Sequence, residues 1–480
     1  MRHIALVVLL LLCSCVGVGD NATNSVPSVA IHRVNVVDVE TGMIVPDQTV
    51  FLAGPIIQSV QPSAGVSIRA GTEVVDGRGK FLIPGLWDMH VHLFRHSPRF
   101  TEADTSFPLF VANGITGVRD LFSNIEDLAI LQDLRRQVDQ GRPGPWVASA
   151  GPLVDGEKPR WVGSIVAATP QQGRAAVREI KANGGDFVKV YSRLSRETYF
   201  AIVDEARRQA IPFAGHVPDG VRAFEASNAG QKSIEHTQNL ERDCSRTGRD
   251  LEGWSTIQKR GRVAFTRQTL DEYDPKRCLV LFDQLARNRT WMTLDPVLVR
   301  ASIVRDRRWR ESPHLKYIPG WIRKSWSSEV AAPPSPNSDE AKLVEQYART
   351  KASIAAGLLA AGAPLLSGTD VGNPYLVPGF SLHENLELLV TEAGFSPLAA
   401  LQTATVNPAR FLGITATAGN ISPGKRADLV LLDANPLARI SNTRGIRAVI
   451  LKGRHFDRSA LDALMAQTEK IAAKSIEPMQ

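Results

Sequence analysis

The chain has 480 residues, is 43% hydrophobic and 22% charged, and carries a formal charge of +7 at neutral pH. That length permits a large core with an appended domain, and the composition is that of a globular protein. The charge excess is too modest to suggest a nucleic-acid partner, and no internal repeat or low-complexity tract suggests a solenoid or a disordered chain.

In chain order, the opening "MRHIALVVLLLLCSCVGVGD" has a basic start, an apolar core and then small residues. Residues 1–19 read as a secretory signal, too short and wrongly flanked for a membrane-spanning helix. Within it, Leu12-Cys13-Ser14-Cys15 has the form of a lipoprotein processing site, in which Cys15 becomes the lipidated first residue. An ordinary signal cleaved slightly later is the alternative. The expectation is export to the periplasm or cell envelope, with a lipid anchor for membrane attachment. Cys244 and Cys278 then remain, and an even pair in an oxidising compartment invites a disulfide, with two separate thiols as the alternative.

Residues 28–83 alternate β-branched residues with turn residues, and residues 417–456 repeat that texture. Together they predict a small β-sandwich domain built from both ends of the chain. Residues 457–480 predict a C-terminal helix.

Between them, residues 84–416 alternate strands with helices. The strand candidates are "FLIPGLWDMHVHL", "GITGVRDLF", "PWVASAGPLV", "DFVKVY", "PFAGHV", "SIEHT", "TWMTLDPV" and "PLLSGTD". The fold class is therefore α/β, a (β/α)8 TIM barrel, whose chemistry is expected at the C-terminal strand ends. Insertions lie around 240–336. Their basic-aromatic run "RDRRWRESPHLKYIPGWIRKSW" reads as a solvated helix with a buried Trp face, or as a contact for a membrane or an acidic substrate.

On a strand, residues i and i+2 face the same way, so His90 and His92 point together and Asp88 shares their direction. A His-x-His pair alone is a weak metal signal. Other strand ends strengthen it: Lys189 on the fourth, His216 on the fifth, His236 on the sixth and Asp370 on the eighth. A barrel would bring all of them to one point.

With these residues, the entry "GKFLIPGLWDMHVHL" and the return "NPARFLGITATAGNISPGKRADLVLLD", the chain resembles the amidohydrolase superfamily of metal-dependent hydrolases. It is most similar to the imidazolonepropionase-like and Xaa-Pro dipeptidase-like members with a strand-four lysine. The resemblance implies that His90, His92 and Asp370 bind one divalent metal and that His216 and His236 bind a second. It implies that Lys189 bridges them as a CO2-derived carbamate, N6-carboxylysine. Such cations disfavour an ammonium beside them and favour the neutral amine that adds CO2. Zinc suits these donors best, with manganese or cobalt as alternatives.

In this family pattern two metals share a hydroxide nucleophile and Asp370 is the general base. The implied reaction is hydrolysis of an amide or peptide-type C–N bond in a small molecule, such as a dipeptide or an N-acyl amino acid. Cyclic amides and lactones are alternatives, as are a mononuclear deaminase and a non-catalytic surface lipoprotein. Tyr191 shares the face of Lys189 and either holds the substrate carbonyl or packs over the core. His383 either contacts substrate or caps a helix. Arg119 and Asp120 read as a structural ion pair, and Asp88 as a residue that orients a ligand histidine. Relatives often carry a further histidine near the strand-five ligand. Here "PFAGHVPDG" has Pro218 instead, which leaves substrate preference open. An oligomer is possible.

Overall fold

The computed structural model describes residues 28–95, 103–237, 239–247 and 261–475. The proposed signal and Cys15 lie outside these residues. Eight strands from both ends of the chain form one sheet. Val29–Val37 pairs antiparallel with Ile44–Ala53, and in parallel with Glu73–Asp76 and Phe81–Pro84. Leu429–Leu432 pairs antiparallel with Phe81–Pro84, setting Leu429 opposite Pro84 and Leu431 opposite Leu82. Ile446–Leu451 and Arg454–Asp457 extend that side.

Period-two alternation divides the burial. Ile31, Leu52, Leu82, Leu429, Leu431 and Ile450 form a local apolar cluster. The alternate residues Ile83, Val430, Leu432 and Val449 join the main core instead. The sheet edge at Ile56–Pro62 returns to the chain entering Leu429–Leu432, where the Ile57 amide donates to the Lys425 carbonyl at 2.7 Å and the Ala427 amide to Pro55 at 2.8 Å.

The run read from the sequence as a single strand from Phe81 is two. Phe81–Pro84 belongs to the composite sheet and Leu86–Val91 to a parallel one. Gly85 lies between them, where a Cβ would come within 2.1 Å of Thr116 Oγ1. A side chain there would block the crossing between sheets.

The parallel strands form two runs. Leu86–Val91, Ile115–Asp120 and Trp146–Ser149 make the first. The second runs through Leu153–Asp155, Val188–Val190, Phe213–Gly215, Ser233–Glu235, Trp291–Leu294 and Leu365–Ser367, with Ile165–Val166 at its edge. Hydrogen bonds link the runs at both ends: the Asp186 amide donates to Ser149 O at 2.8 Å, and the His92 amide to Val371 O at 2.9 Å. Nearly all these strands are buried, as expected where helices cover a parallel sheet.

The covering helices carry clear sequence signals. Pro170–Ala182 begins with a Thr169–Gln172 capping box and a proline in its first turn, and buries Ala176, Val177 and Ile180. It packs on Arg196–Arg208, which Ser195 caps.

In the insertions, Cys244 and Cys278 are joined by a disulfide. Two of the three tryptophans of the basic-aromatic run face inwards: Trp309 and Trp326 are each 2% exposed, while Trp321 is half-buried, and Trp309 Nε1 donates to Glu384 at 2.8 Å. Helix Arg458–Lys474 packs on Ala103–Ala112. Among the described residues, no helix is long and apolar enough to cross a membrane.

Candidate metal centre

Strand ends supply the site. His90, next to last in the first parallel strand, is fully buried, and its Nε2 lies 3.2 Å from Asp370 Oδ1 and 3.4 Å from Lys189 Nζ. His92, just past that strand, places Nε2 2.7 Å from the same Asp370 oxygen. The His236 ring centroid is 4.5 Å from that of His90 and 5.1 Å from that of His216. Ligand atoms of His90, His236 and Asp370 all lie within 4.8 Å of one another. The structure therefore brings His90, His92, Lys189, His216, His236 and Asp370 together.

Two glycines permit the close approach of the chain leaving strand Leu365–Ser367. A Cβ on Gly368 would meet His90 Cβ at 2.6 Å, and one on Gly372 would meet His92 Cβ at 2.8 Å. Asp370 and His236 both have left-handed backbones, at φ 60 and 62. Such strain in non-glycine residues is concentrated at functional sites.

The donor set fits a divalent metal. His216 gives Nδ1 to Ser192 Oγ at 2.9 Å, and its Nε2 is buried with no hydrogen-bond partner. Buried polar atoms are rarely left so, and a cation would satisfy this one. Imidazole nitrogens with a carboxylate oxygen suit a zinc-like ion.

Charge follows the same pattern. Burial, reinforced by Lys189, holds His90 well below the usual histidine range. Burial brings His92 down to about 4, and burial with His236 lowers His216, so these rings are neutral, as ligands must be. Burial would raise Asp370, but the His90, His236 and His92 rings packed around it, with the hydrogen bond to His92, outweigh burial, so its net shift is downwards. Burial pushes the Lys189 amine down to about 8 despite the opposing pull of Asp370 and Glu235. Burial also lowers His236, but Asp295 and Asp370 outweigh it, so the net shift is upwards. The carboxylates that favour an imidazolium there would equally favour a bound cation.

Glu235 is the main residue that the sequence reading missed. It is fully buried and accepts from Arg119 Nη2 at 2.9 and 2.8 Å and from Ser233 Oγ at 2.6 Å. Its Oε2 lies 3.0 Å from His90 Nδ1. Burial would raise it, but the Arg119 guanidinium keeps it ionised. An ionised acceptor holds the proton on Nδ1 and leaves the Nε2 lone pair for a ligand. Asp295 does the same for His236 through Nδ1. Two sequence signals pointed to them: Glu235 adjoins His236, and Asp295 directly follows the apolar part of the seventh strand candidate, just past the observed strand Trp291–Leu294.

Two expectations are corrected. Asp88 meets no imidazole among the described residues; it accepts from the Thr369 amide at 3.0 Å and hydroxyl at 2.6 Å, tying the chain after Leu365–Ser367 to the first parallel strand. Arg119 does not pair with Asp120. Neighbours on a strand face opposite ways, so Arg119 reaches Glu235 while Asp120 accepts from the Leu93 amide at 3.0 Å and Ser149 Oγ at 2.7 Å.

A cavity of about 570 Å³ opens over the cluster, lined by His92, Lys189, His216, His236 and Asp370. Tyr191 also lines it, stacked on His216 with centroids 4.1 Å apart. Its oxygen accepts from Trp161 Nε1 at 3.0 Å, which leaves its own O–H to donate elsewhere. Phe122, Trp161, Phe265, Arg160 and Arg262 are among its other lining residues, as are Glu241 and Lys351.

His383 does not line this cavity, contrary to the substrate-contact expectation. It is buried in helix Phe380–Thr391, with Nδ1 against Thr443 Oγ1 at 2.9 Å and Nε2 against Asn113 O at 3.0 Å. Both ring nitrogens are engaged in joining chain segments.

The profile of the amidohydrolase family matches residues 81–455. Imidazolonepropionase of Geobacillus kaustophilus is 33% identical over 109 residues, which are 22% of this chain and 26% of that protein. Ochratoxinase of Aspergillus niger is 26% identical over 314 residues, 64% of this chain and 50% of that protein. The match to each of these relatives therefore spans no more than half of the relative's length. Among solved structures, bottromycin amidohydrolase shares the fold, with a TM-score of 0.72 at 22% identity over 92% of this chain and 90% of that one.

Proposed function

The chain belongs to the amidohydrolase family, and we propose that it is an exported, binuclear metal-dependent hydrolase that cleaves the amide C–N bond of a small N-acyl amino acid or dipeptide. The observation that carries this reading is the meeting of four histidines, a lysine and an aspartate beneath one cavity. In this reading the two parallel runs close into a (β/α)8 barrel with its chemistry at the C-terminal strand ends. The composite sheet curls into a sandwich.

His90, His92 and Asp370 would hold one ion, and His216 and His236 the other. Lys189, its amine lowered by burial, would bridge them once its neutral Nζ has added CO2 and lost a proton. Bound divalent ions, zinc foremost and manganese or cobalt next, supply Lewis acidity and make water acidic enough to attack at neutral pH.

The protein's own groups perform the proton work. Asp370 takes a proton from the attacking water and passes it to the leaving nitrogen. Tyr191 donates its hydroxyl to the carbonyl oxygen as charge develops there. Burial pushes that phenol up, so it remains a donor across the working range. Arg160 and Arg262 meet a substrate carboxylate, and Phe122, Trp161 and Phe265 accept an apolar side chain. Export is supported by the sequence of residues 1–19 and by the Cys244–Cys278 disulfide, a bond favoured in oxidising compartments.

The test is release of free amine by zinc- and bicarbonate-supplied protein from a panel of N-acyl amino acids, dipeptides and their carboxyl-blocked analogues, with lactones alongside. Turnover of the free-carboxylate amides is expected. Turnover of lactones alone would replace this reading with that of a lactonase. Zinc binding with no turnover would remove the enzymatic reading.

A further inference from the structure

The chain leaves strand Ser233–Glu235 through a strained backbone. His236 and Thr237 are both left-handed, at φ 62 and 48, and Asn239 follows at φ 63. For a β-branched residue such as Thr237 this conformation is an outlier. Alternation along a strand would send Glu235 and His236 to opposite faces. Yet Glu235 touches the His90 ring on one side, while the His236 ring lies 4.5 Å from it, centroid to centroid. The left-handed turn lets adjacent residues serve the same site.

A single side chain grips that turn. Lys351, on helix Asp339–Ala360, donates Nζ to His236 O and to Thr237 O, each at 3.1 Å, and pairs with Glu241 Oε1 at 2.6 Å. These contacts use all three donors of an ammonium. Glu241 is held in turn by the Tyr347 hydroxyl at 3.4 Å, and it lies three residues before Cys244 of the disulfide. The lysine is buried to 13% side-chain exposure and Glu241 to 6%, so neither contact is a solvated surface pair.

We propose that Lys351 is a positioning residue for His236: anchored by Glu241, its ammonium holds the two carbonyls that the left-handed turn brings together, and thereby keeps the imidazole in the site. The effect on metal rests on the reading of His236 as a ligand. The effect on the backbone does not.

The test uses full-length protein as wild type, Lys351→Met, Lys351→Arg, Thr237→Gly and the Lys351→Met/Thr237→Gly pair. Two quantities are measured, the melting midpoint of metal-free protein and the zinc held per chain in zinc-buffered solution. Lys351→Met should lower the metal-free midpoint by about 4 °C or more and reduce bound zinc from about two to about one per chain. Arginine should retain part of both, because its fork also reaches two acceptors. Thr237→Gly should recover much of what methionine loses, because glycine adopts the left-handed conformation without steric cost.

Additive midpoint shifts in the Lys351 and Thr237 pair, or wild-type zinc affinity in Lys351→Met, would overturn the proposal. Should Lys351→Met not fold, recovery of folding by the added Thr237→Gly supports the clamp and failure to recover overturns it. Wild-type protein that binds no zinc would remove the reading of the metal site, while the metal-free melting comparison would still decide the clamp.

Discussion

His90 Nδ1 and Glu235 Oε2 lie 3.0 Å apart, and neither side chain is exposed to solvent. Through this contact a carboxylate kept ionised by Arg119 holds Nδ1 of His90, leaving Nε2 towards Asp370 and Lys189. Glu235→Gln preserves the shape but removes the charge that holds the proton on Nδ1. Zinc affinity should fall about 10–100-fold, read by competition with a chelator. Unchanged affinity would leave Glu235 only the task of neutralising Arg119.

Lys189→Ala removes the bridging candidate. Bound zinc should drop, turnover should fall at least about a hundredfold, and short carboxylic acids should restore part of both. An untouched variant would make Lys189 structural.

The Lys189 amine also predicts a pH dependence. Its value is about 8 in the fold against 10.5 for the free side chain. Below about 8 it is an ammonium and cannot add CO2, so carboxylation of metal-free protein should increase as pH rises through that value. Incorporation of labelled bicarbonate reports this directly, with Lys189→Ala as the blank. Between the two values the unfolded chain holds the extra proton, so this group makes metal-free protein more stable as pH rises across that interval. Carboxylation that is flat with pH would mean the amine is already neutral.

Tyr191→Phe deletes a hydroxyl and leaves the stack on His216 in place. If that hydroxyl serves the developing oxyanion, kcat should fall about 10²–10³-fold with little change in KM. A rise in KM alone would mean that Tyr191 only holds the ground state.

His383→Ala should behave oppositely. It removes the contact to Thr443 Oγ1, which keeps its bond to Ile440 O, and leaves Asn113 O without its His383 donor, which should cost about 1–3 kcal/mol of stability. Activity per folded molecule should remain, as measured by turnover against denaturation midpoint. Lost turnover at normal stability would return His383 to the substrate site.

Cys15→Ser tests the anchor by cell fractionation. If Cys15 carries the lipid, the variant should leave the membrane fraction. Unchanged fractionation would favour a plain signal peptide.

The residue types of the site could be read from the sequence because strands enforce period two and parallel strand ends converge. His90 and His92 two apart, with Lys189, His216, His236 and Asp370 each at or near the end of a further strand candidate, follow from local pattern and topology alone. Which polar group meets which did not follow. Asp88 and Glu235 are both strand carboxylates, yet one ties backbone at Thr369 while the other orients His90. Arg119 and Asp120 are adjacent opposite charges whose partners lie elsewhere, because a strand turns neighbours apart. His383 resembled a pocket residue until the surrounding segments claimed both of its nitrogens. The sequence by itself determined the supply of imidazole, amine and carboxylate groups at strand ends. Only the tertiary structure decided their orientation, because hydrogen-bond partners for a buried ring come from distant strands, and the left-handed turn at His236 is held by a lysine on a helix far along the chain.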